Sequence, residues 1–436
     1  MRDYAVFGVT AVGLALTLWR PWIGVLLYAW FAYMNPHRLC YGPAFNFPFS
    51  LVVVIVLLLS WLFAREPKRL PLTMETVILM LFTAWMTVTT FTALDQAAAW
   101  LRWEQVMKIM FMAFVIFAML RTRERLDSFV WVVVLSLGYY GVRGTIGTLN
   151  SGGAARVYGP DGTFIADNND LALAMVTVIP LVIYAWTITS RRLVRMGLLA
   201  VVGCLAIAVM GTASRAGALA LVAILSMLCW KSKYRLRTTL AAIAVGCLVY
   251  FVAPAQWFAR VQTIGAYEHD RSAQGRLNAW RFAVNLVQDY PITGGGFEAF
   301  NPKLFLKYAP ERQNFHAAHS IYFKILGEQG FVGLTLFVML WASTWRTARQ
   351  VIRLAQDMDA GWAEQLAAMA QIALVGYGIG GAFGNLSYFD LPYHLVAIIV
   401  GCKIVLAETA EEHATEAEGS GQPASSAETV YESAHC

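Results

Sequence analysis

Charged residues are scarce in this sequence. Asp, Glu, Lys and Arg make up 14% of its 436 residues, against roughly 25% in soluble domains, whereas 58% of the residues are hydrophobic. The apolar residues form long runs, each near the roughly 20 residues that cross a hydrocarbon core. The runs also lack the period-two alternation of membrane-spanning strands. We therefore expect an all-α, polytopic integral membrane protein.

Cysteine is also sparse, and its spacing suggests no site. The six cysteines include no CxxC pair, so we interpret them as small apolar packing residues. The net charge of +6 could indicate nucleic-acid binding in a soluble protein. Here the basic residues cluster in short loops between apolar runs, which is the positive-inside pattern of membrane proteins. We therefore expect no nucleic-acid partner.

The basic clusters predict the orientation of the chain. Loops rich in Lys and Arg alternate with loops that have few, and the rich loops are expected to be cytoplasmic. Residues 314–320 then face outward. The basic clusters are Arg65, Lys68 and Arg69; Arg121, Arg123 and Arg125; Arg191, Arg192 and Arg195; Lys231, Lys233, Arg235 and Arg237; and Arg346, Arg349 and Arg353.

The apolar runs predict about twelve transmembrane helices and four segments. Within residues 254–319, which we call the outer segment, residues 270–287 have the spacing of an amphipathic helix. The last segment has seven Glu and no Lys or Arg, which is typical of a disordered tail. Residues 4–34 are broken at Arg20 and Pro21, so one interrupted span and a pair of short helices both fit. The segments are transmembrane helices over residues 1–253, a large helical periplasmic loop over residues 254–319, transmembrane helices over residues 320–407, and an acidic cytoplasmic tail over residues 408–436.

Positive charge also occurs where the positive-inside pattern predicts little. Arg102 and Lys108 lie near the outward start of one predicted span, Arg143 lies near the outer end of the next, and Arg215 lies in an outward turn. Each could snorkel to lipid headgroups, and Lys108 could pair with Glu104 four residues away. Because these cations gather on one side, we expect an anionic substrate there.

The outer segment adds further candidates for binding an anion. Arg276 and Arg281 lie in the predicted amphipathic helix, and a run of three glycines follows at residues 294–296. Backbone N–H groups of such a run can bind a phosphate, although a plain turn fits equally well.

Two histidines, His316 and His319, precede the next apolar helix. Imidazole titrates near neutral pH and is suited to act as a general base, although a histidine at a helix start is often only a hydrogen-bonded cap. Arginine binds phosphate through a planar fork. A base beside an arginine-lined anion site is what glycosyl transfer from a lipid pyrophosphate requires, because the acceptor hydroxyl loses a proton and the leaving group gains charge.

Three short motifs occur in order over residues 165–345. They are Ser214-Arg215-Ala216-Gly217; Gly275-Arg276 with Trp280; and His319-Ser320 followed by Glu328, Gly330, Gly333 and Leu334. In residues, order and spacing they resemble the signature of the O-antigen ligase and polymerase superfamily. The sequences MNPHRL at 34–39 and FIADNND at 164–170 also resemble a subgroup described as O-glycosylation ligases associated with exosortase systems. Ser320 departs from the pattern, since many relatives have Asn after the histidine.

This resemblance implies an inverting, metal-independent glycosyltransferase that needs no cofactor. It would move a glycan from an undecaprenyl-pyrophosphate-linked donor to a lipid A-core acceptor, among membrane lipids at the periplasmic face of the bacterial inner membrane, in lipopolysaccharide biosynthesis. His319 would be the catalytic base, and Arg215 and Arg276 would bind the pyrophosphate. The weaker candidates for this site are Arg102, Arg143, Arg281 and His316.

Other functions remain open at this point. A polymerase or a protein O-glycosylation ligase would use the same chemistry with another acceptor. A transporter of lipid-linked glycan would use the arginines to move its substrate, but transporters tend to carry internal repeats and midplane sites, which the sequence does not show. Asp357 and Asp359 form an Asp-x-Asp pair in a predicted cytoplasmic loop, so we do not expect a metal site there. Asp167 and Asp170 are interpreted as helix caps.

Overall fold

The computed structural model describes residues 1–252 and 271–419, and it is helical throughout. No β-strand occurs among these residues, so the prediction of an all-α fold is confirmed. The α-helices of the described chain are α1 Arg2–Trp19, α2 Trp22–Met34, α3 Phe49–Phe63, α4 Met74–Phe91, α5 Gln96–Met119, α6 Arg123–Asn150, α7 Asn168–Ile188, α8 Arg192–Gly211, α9 Arg215–Lys231, α10 Arg235–Val252, α11 Arg271–Asp289, α12 Pro302–Tyr308, α13 Ile321–Asp357, α14 Gly361–Gly381 and α15 Asp390–Gly419.

The helices follow the apolar runs of the sequence. The ambiguous residues 4–34 fold as two helices, α1 and α2, separated at Arg20 and Pro21. Arg20 has extended backbone geometry, and Pro21 has no N–H to continue the hydrogen bonding of α1. The predicted amphipathic helix of the outer segment is α11.

Several helices can cross a membrane, which confirms a multi-pass membrane protein. Within the described residues, six helical segments are long and apolar enough to do so, namely α4, α6, α7, α8, α13 and residues 386–412. Two more helices, α2 and α3, are apolar but shorter. The count of about twelve spans stays a prediction.

The connections between helices gather at two ends of the bundle. One end, the basic side, has the connections α3–α4, α5–α6 and α7–α8. There Arg125 donates two hydrogen bonds of 2.8 and 3.0 Å to Glu66, and Arg121 lies 4.0 Å from Glu408 of α15. The other end, the histidine side, has the connections α2–α3, α4–α5, α6–α7 and α14–α15, together with the residues before α13.

Helix α13 is kinked at Gly330, where φ is 67°, and the glycine run of the outer segment packs into this kink. The N–H of Gly295 donates to the Gly327 carbonyl at 2.8 Å, and the N–H of Gly296 donates to the Glu328 carbonyl at 3.0 Å. These donors are therefore not free to bind a phosphate. The run fastens the outer segment to α13 and is neither a phosphate cradle nor a loose turn.

Glu328 strengthens the same junction. Its side chain is 1% exposed, and its two carboxylate oxygens accept hydrogen bonds from the Glu298 N–H at 3.2 Å and the Tyr388 hydroxyl at 2.7 Å. Glu298 has a φ of 58°, so this bond helps to hold a strained backbone. The acidic residue of the family pattern is thus part of the frame around the site.

The C-terminal helix is longer than the sequence predicts. Helix α15 continues to Gly419, through the first residues of the expected disordered tail, because Ala and Glu are both strong helix formers. Residues 420–436 of that tail, and residues 254–270 of the outer segment, lie outside the described residues.

Candidate active site

His319 lies directly before α13, and a side chain from a distant segment holds it. Its φ is 41°, a conformation that non-glycine residues seldom adopt. The His319 N–H donates to Oδ1 of Asn385 at 2.9 Å, and Nδ2 of Asn385 lies 3.0 Å from Nδ1 of the imidazole. The backbone N–H of Asn385 in turn donates to Oδ1 of Asp170 at 2.8 Å. Asp170 is buried, with 6% of its surface exposed. These hydrogen bonds link α7, the α14–α15 connection and the start of α13.

Helix α11 covers the histidine segment. The indole N–H of Trp280 donates to the Ala318 carbonyl at 2.8 Å, and the Asn278 side chain donates to the carbonyls of Glu311 and Asn314. Arg276 precedes Trp280 by four residues and therefore shares its face of the helix. This places the guanidinium of Arg276 beside the residues that lead to His319.

The electrostatic effect on His319 shows that its cationic neighbours are close. Burial lowers the pKa of His319, and the charge of Arg276 lowers it further, to about 4. His316 and Lys324 act in the same direction, whereas Asp167 opposes them. His319 is therefore neutral at pH 7, in surroundings that are positive overall.

His316 packs on the backbone of α11. A Cβ built on Gly275 would fall on the His316 ring, so only glycine at this position admits the imidazole. The glycine of the Gly275-Arg276 motif thus brings a second ring to within electrostatic reach of His319.

Arg215 opens α9 on the same side of the bundle. Ser214 caps this helix through its side-chain oxygen, and Asn168 donates to the Thr212 carbonyl at 2.8 Å. The turn that carries the half-buried Arg215 is thus tied to the start of α7, two residues from Asp170.

A cavity of about 910 Å³ adjoins Asn385. Its walls come from the end of α2, the α2–α3 connection, the middle of α5 and the α6–α7 connection. Arg102 lines it, with the guanidinium 4.7 Å from the centre of the Phe164 ring and Nε 3.5 Å from a carboxylate oxygen of Glu298. Four cationic side chains line the cavity, namely Arg38, Arg102, Lys108 and Lys324.

These four cations differ in how far they are neutralised. Lys108 pairs with Glu104 at 2.5 Å, as the sequence spacing allowed. In the part of the chain that the structure describes, no carboxylate forms an ion pair with Arg38 or Lys324; instead they lie over aromatic rings, Arg38 4.8 Å from the centre of Phe45 and Lys324 5.7 Å from that of Tyr388. Both cations are therefore available to an anionic ligand.

The cavity has an apolar extension along α3 and α5. Leu51 and Val54 of α3 and Phe111 and Met112 of α5 line it. Leu51 is 55% exposed and Phe111 is 47% exposed, so this apolar part is open to the surface of the bundle. The cavity thus has a cationic part, lined by Arg38, Arg102 and Lys324, and an apolar part whose side chains reach the surface of the bundle.

The structure brings together some of the predicted site residues and not others. His319, Arg276 and His316 form one cluster, Arg102 lines the adjoining cavity, and Arg215 lies on a neighbouring turn. Arg143 of α6 and Arg281 of α11 are exposed and do not line the cavity.

Four residues at this site were not predicted from the sequence. Arg38 is a basic residue in a connection that the sequence predicts to face outward, and Lys324 is an ionisable residue inside a predicted span, so the criteria that selected Arg102 would also have selected them. Asp167 was assigned only a capping role. Asn385 carried no local signal, because its importance depends on a contact with His319 across 66 positions.

A metal-binding cluster is not formed by the described side chains, since no three His, Cys, Asp or Glu residues among them come together suitably. Asp357 and Asp359 lie at the basic end of α13. A helix of 37 residues places them roughly 50 Å from His319.

Comparison with known families divides the chain into two parts. Residues 1–190 match a family of unknown function (DUF5935). Residues 199–338 match a family described as O-antigen ligase, and this match contains Arg215, Arg276 and His319. No curated protein matches the chain. The narrower resemblance to ligases of exosortase systems stays a prediction.

Proposed function

We propose that this chain, whose residues 199–338 belong to the O-antigen ligase superfamily, transfers a glycan from an undecaprenyl-pyrophosphate-linked donor to lipid A-core. The transfer would take place at the periplasmic face of the bacterial inner membrane. The observation that carries this proposal is the position of neutral His319 beside Arg276, next to a cavity that is cationic at one end and apolar at the other.

The cavity fits a lipid-linked anionic donor in its two halves. A polyprenyl chain would lie along the apolar extension at Leu51 and Phe111, whose side chains are exposed at the surface of the bundle. The pyrophosphate would then lie near Arg38, Arg102 and Lys324. Guanidinium groups bind phosphate oxygens through paired hydrogen bonds, and Arg276 and Arg215 would contact the end nearest the glycan.

The reaction proposed is a displacement at the anomeric carbon. The acceptor oxygen forms a bond to this carbon, the bond from the carbon to the pyrophosphate oxygen breaks, and the pyrophosphate leaves with both electrons of that bond. The positive side chains stabilise the charge that develops on the leaving group. The acceptor proton must pass to a base, and the site offers two groups, the imidazole of His319 and the carboxylate of Asp167.

An O-antigen polymerase or a protein O-glycosylation ligase would have the same site with a different acceptor. The family match does not distinguish these acceptors. Lipid A-core is proposed because the matching family is described as O-antigen ligase.

Purified protein in proteoliposomes with a lipid-linked O-antigen donor and lipid A-core provides the test. Ligase activity predicts glycan-bearing lipid A-core on a gel, and none with His319→Ala. Lengthened glycan on the lipid carrier would instead show a polymerase. Donor that only crosses the bilayer, with no new glycosidic bond, would refute the enzyme and support a transporter.

A further inference from the structure

We propose that Asn385 holds His319 with its proton on Nε2, so that His319 donates a hydrogen bond to a phosphate oxygen of the donor while Asp167 takes the acceptor proton. This inference rests on the function proposed above. It assigns a positioning role to Asn385 and a role to His319 that differs from that of a general base.

The backbone of His319 fixes the orientation of the Asn385 side-chain amide. The backbone N–H of His319 lies 2.9 Å from Oδ1 of Asn385. Rotating the amide by 180° would place its NH2 group against this N–H, and two donors would face each other. Because a backbone N–H needs an acceptor, the oxygen must face the backbone and the NH2 group must face the imidazole.

The Asn385 amide in turn determines which ring nitrogen of His319 carries the proton. Nδ2 of Asn385 lies 3.0 Å from Nδ1 of His319, and an amide nitrogen can only donate. Nδ1 therefore accepts this hydrogen bond with its lone pair. In a neutral imidazole one nitrogen accepts and the other carries the proton, so the proton of His319 lies on Nε2.

The surroundings of the Nε2–H group of His319 indicate its partner. No described side chain or backbone group hydrogen-bonds to Nε2, and the charges that reach the ring include those of Arg276 and Lys324. A protonated Nε2 among cations adds one more donor aimed at an anion. It cannot accept a proton from a hydroxyl, so the partner that we assign to it is a phosphate oxygen of the donor.

Asp167 is the group to which we assign the acceptor proton. Asp167 lines the cavity and is close enough to affect His319. Its Oδ1 caps α7 by accepting from the N–H and the side-chain amide of Asn169, at 2.8 and 3.1 Å. Oδ2 has no hydrogen-bond partner among the described residues and is available to receive the proton of the acceptor hydroxyl as the glycosidic bond forms.

The tautomer can be measured in the wild-type protein without assuming any activity. In protein labelled with 15N-histidine and reconstituted in nanodiscs, NMR separates protonated from unprotonated ring nitrogens. His319 is assigned as the signal lost in His319→Gln. We expect a protonated Nε2 and an unprotonated Nδ1 at pH 7. A proton on Nδ1 would overturn the proposal.

Asn385→Asp reverses the arrangement. A carboxylate still accepts from the His319 N–H, but it cannot donate to Nδ1, so the ring proton moves to Nδ1 and Nε2 becomes basic. If His319 acts as a donor, transfer should fall at least tenfold. Activity equal to or above that of the wild type would show that His319 is a base acting through Nε2.

Two further substitutions separate the roles at the site. The side-chain amide of His319→Gln can supply an N–H near the position of Nε2, so we expect it to retain at least tenfold more activity than His319→Ala. Asp167→Asn keeps the oxygen that caps α7 but removes the base, and we expect at least a 100-fold loss with folding unchanged. Glutamine as inactive as alanine, or full activity in Asp167→Asn, would refute the assignment.

These outcomes are independent of whether the chain is a ligase. If no transfer occurs with any acceptor, the proposed function fails, whereas the NMR result on the tautomer stands. If transfer occurs but the proton lies on Nδ1, the function stands and the role of Asn385 fails.

Discussion

The indole of Trp280 and the ring of Phe323 stack with their centroids 4.9 Å apart and an interplanar angle of 11°. This contact joins α11 of the outer segment to the first turn of α13, on either side of His319. Together with the bond from Trp280 to the Ala318 carbonyl, it fixes the face of α11 that carries Arg276. The distance between the arginine and the histidine therefore depends on an aromatic pair that contacts no reacting atom.

Trp280 substitutions should change transfer in two steps. Trp280→Phe keeps an aromatic stack but removes one hydrogen bond, worth about 1 kcal/mol, so we expect activity to fall roughly fivefold. Trp280→Ala also removes the stack and should cost more than tenfold. Rates are compared in proteoliposomes, with thermal unfolding in detergent as the control for folding. Equal activity in both variants and the wild type would show that α11 is held in place by other contacts.

The loss of activity on replacing an arginine should depend on where that arginine lies. Arg276→Ala and Arg215→Ala are expected to reduce kcat/KM for the donor at least tenfold, which is the loss of a charge-assisted hydrogen bond of about 1.5–3 kcal/mol. Arg143→Ala and Arg281→Ala serve as matched comparisons, because their side chains are exposed, and should cost less than threefold. Similar losses in all four variants would show that the overall positive charge matters and that Arg276 and Arg215 make no specific contact with the donor.

The pH dependence of activity should lack an inflection from His319 near 6.5. The pKa of this residue is lowered to about 4 by burial and by Arg276, so its ring stays neutral between pH 5 and 8. The profile of kcat/KM reports groups of the free enzyme and is the measurement to make. An inflection near 6.5 that disappears in His319→Gln would contradict this.

The lowered pKa of His319 also makes the stability of the fold depend on pH. Between pH 6.5 and about 4 the unfolded chain binds a proton at His319 and the folded chain does not, so stability rises with pH across this window. The contribution is complete above pH 6.5 and is lost as the pH falls towards 4. The unfolding temperature of the wild type should therefore drop more steeply on acidification than that of His319→Gln.

Gly330→Ala should damage the frame of the site. The backbone at this position has a φ of 67°, and a Cβ would fall on the Ile292 carbonyl oxygen. Strain of this kind costs about 1–3 kcal/mol, which should lower the unfolding temperature by several degrees. The control is Gly197→Ala in α8, where a Cβ meets nothing within 4 Å and alanine favours the helix. Equal stability of both variants would contradict the role given to the kink.

The sequence by itself determined the class of the protein and the main elements of the fold. Long apolar runs without period-two alternation predict membrane helices, because each helix satisfies its own backbone hydrogen bonds. Local pattern also singled out His319 and Arg276, since charged and titratable groups at the ends of apolar runs are costly unless they have a partner.

Only the tertiary structure decided which of these groups meet. Residues 4–34 form two helices, and the glycine run packs into the kink of α13 and does not bind phosphate, because partners far along the chain occupy its N–H groups. Arg38 and Lys324 joined the site, whereas Arg143 and Arg281 did not line it. The orientation of the His319 ring depends on Asn385 and, behind it, Asp170, and contacts between such distant residues leave no periodic signal in the sequence.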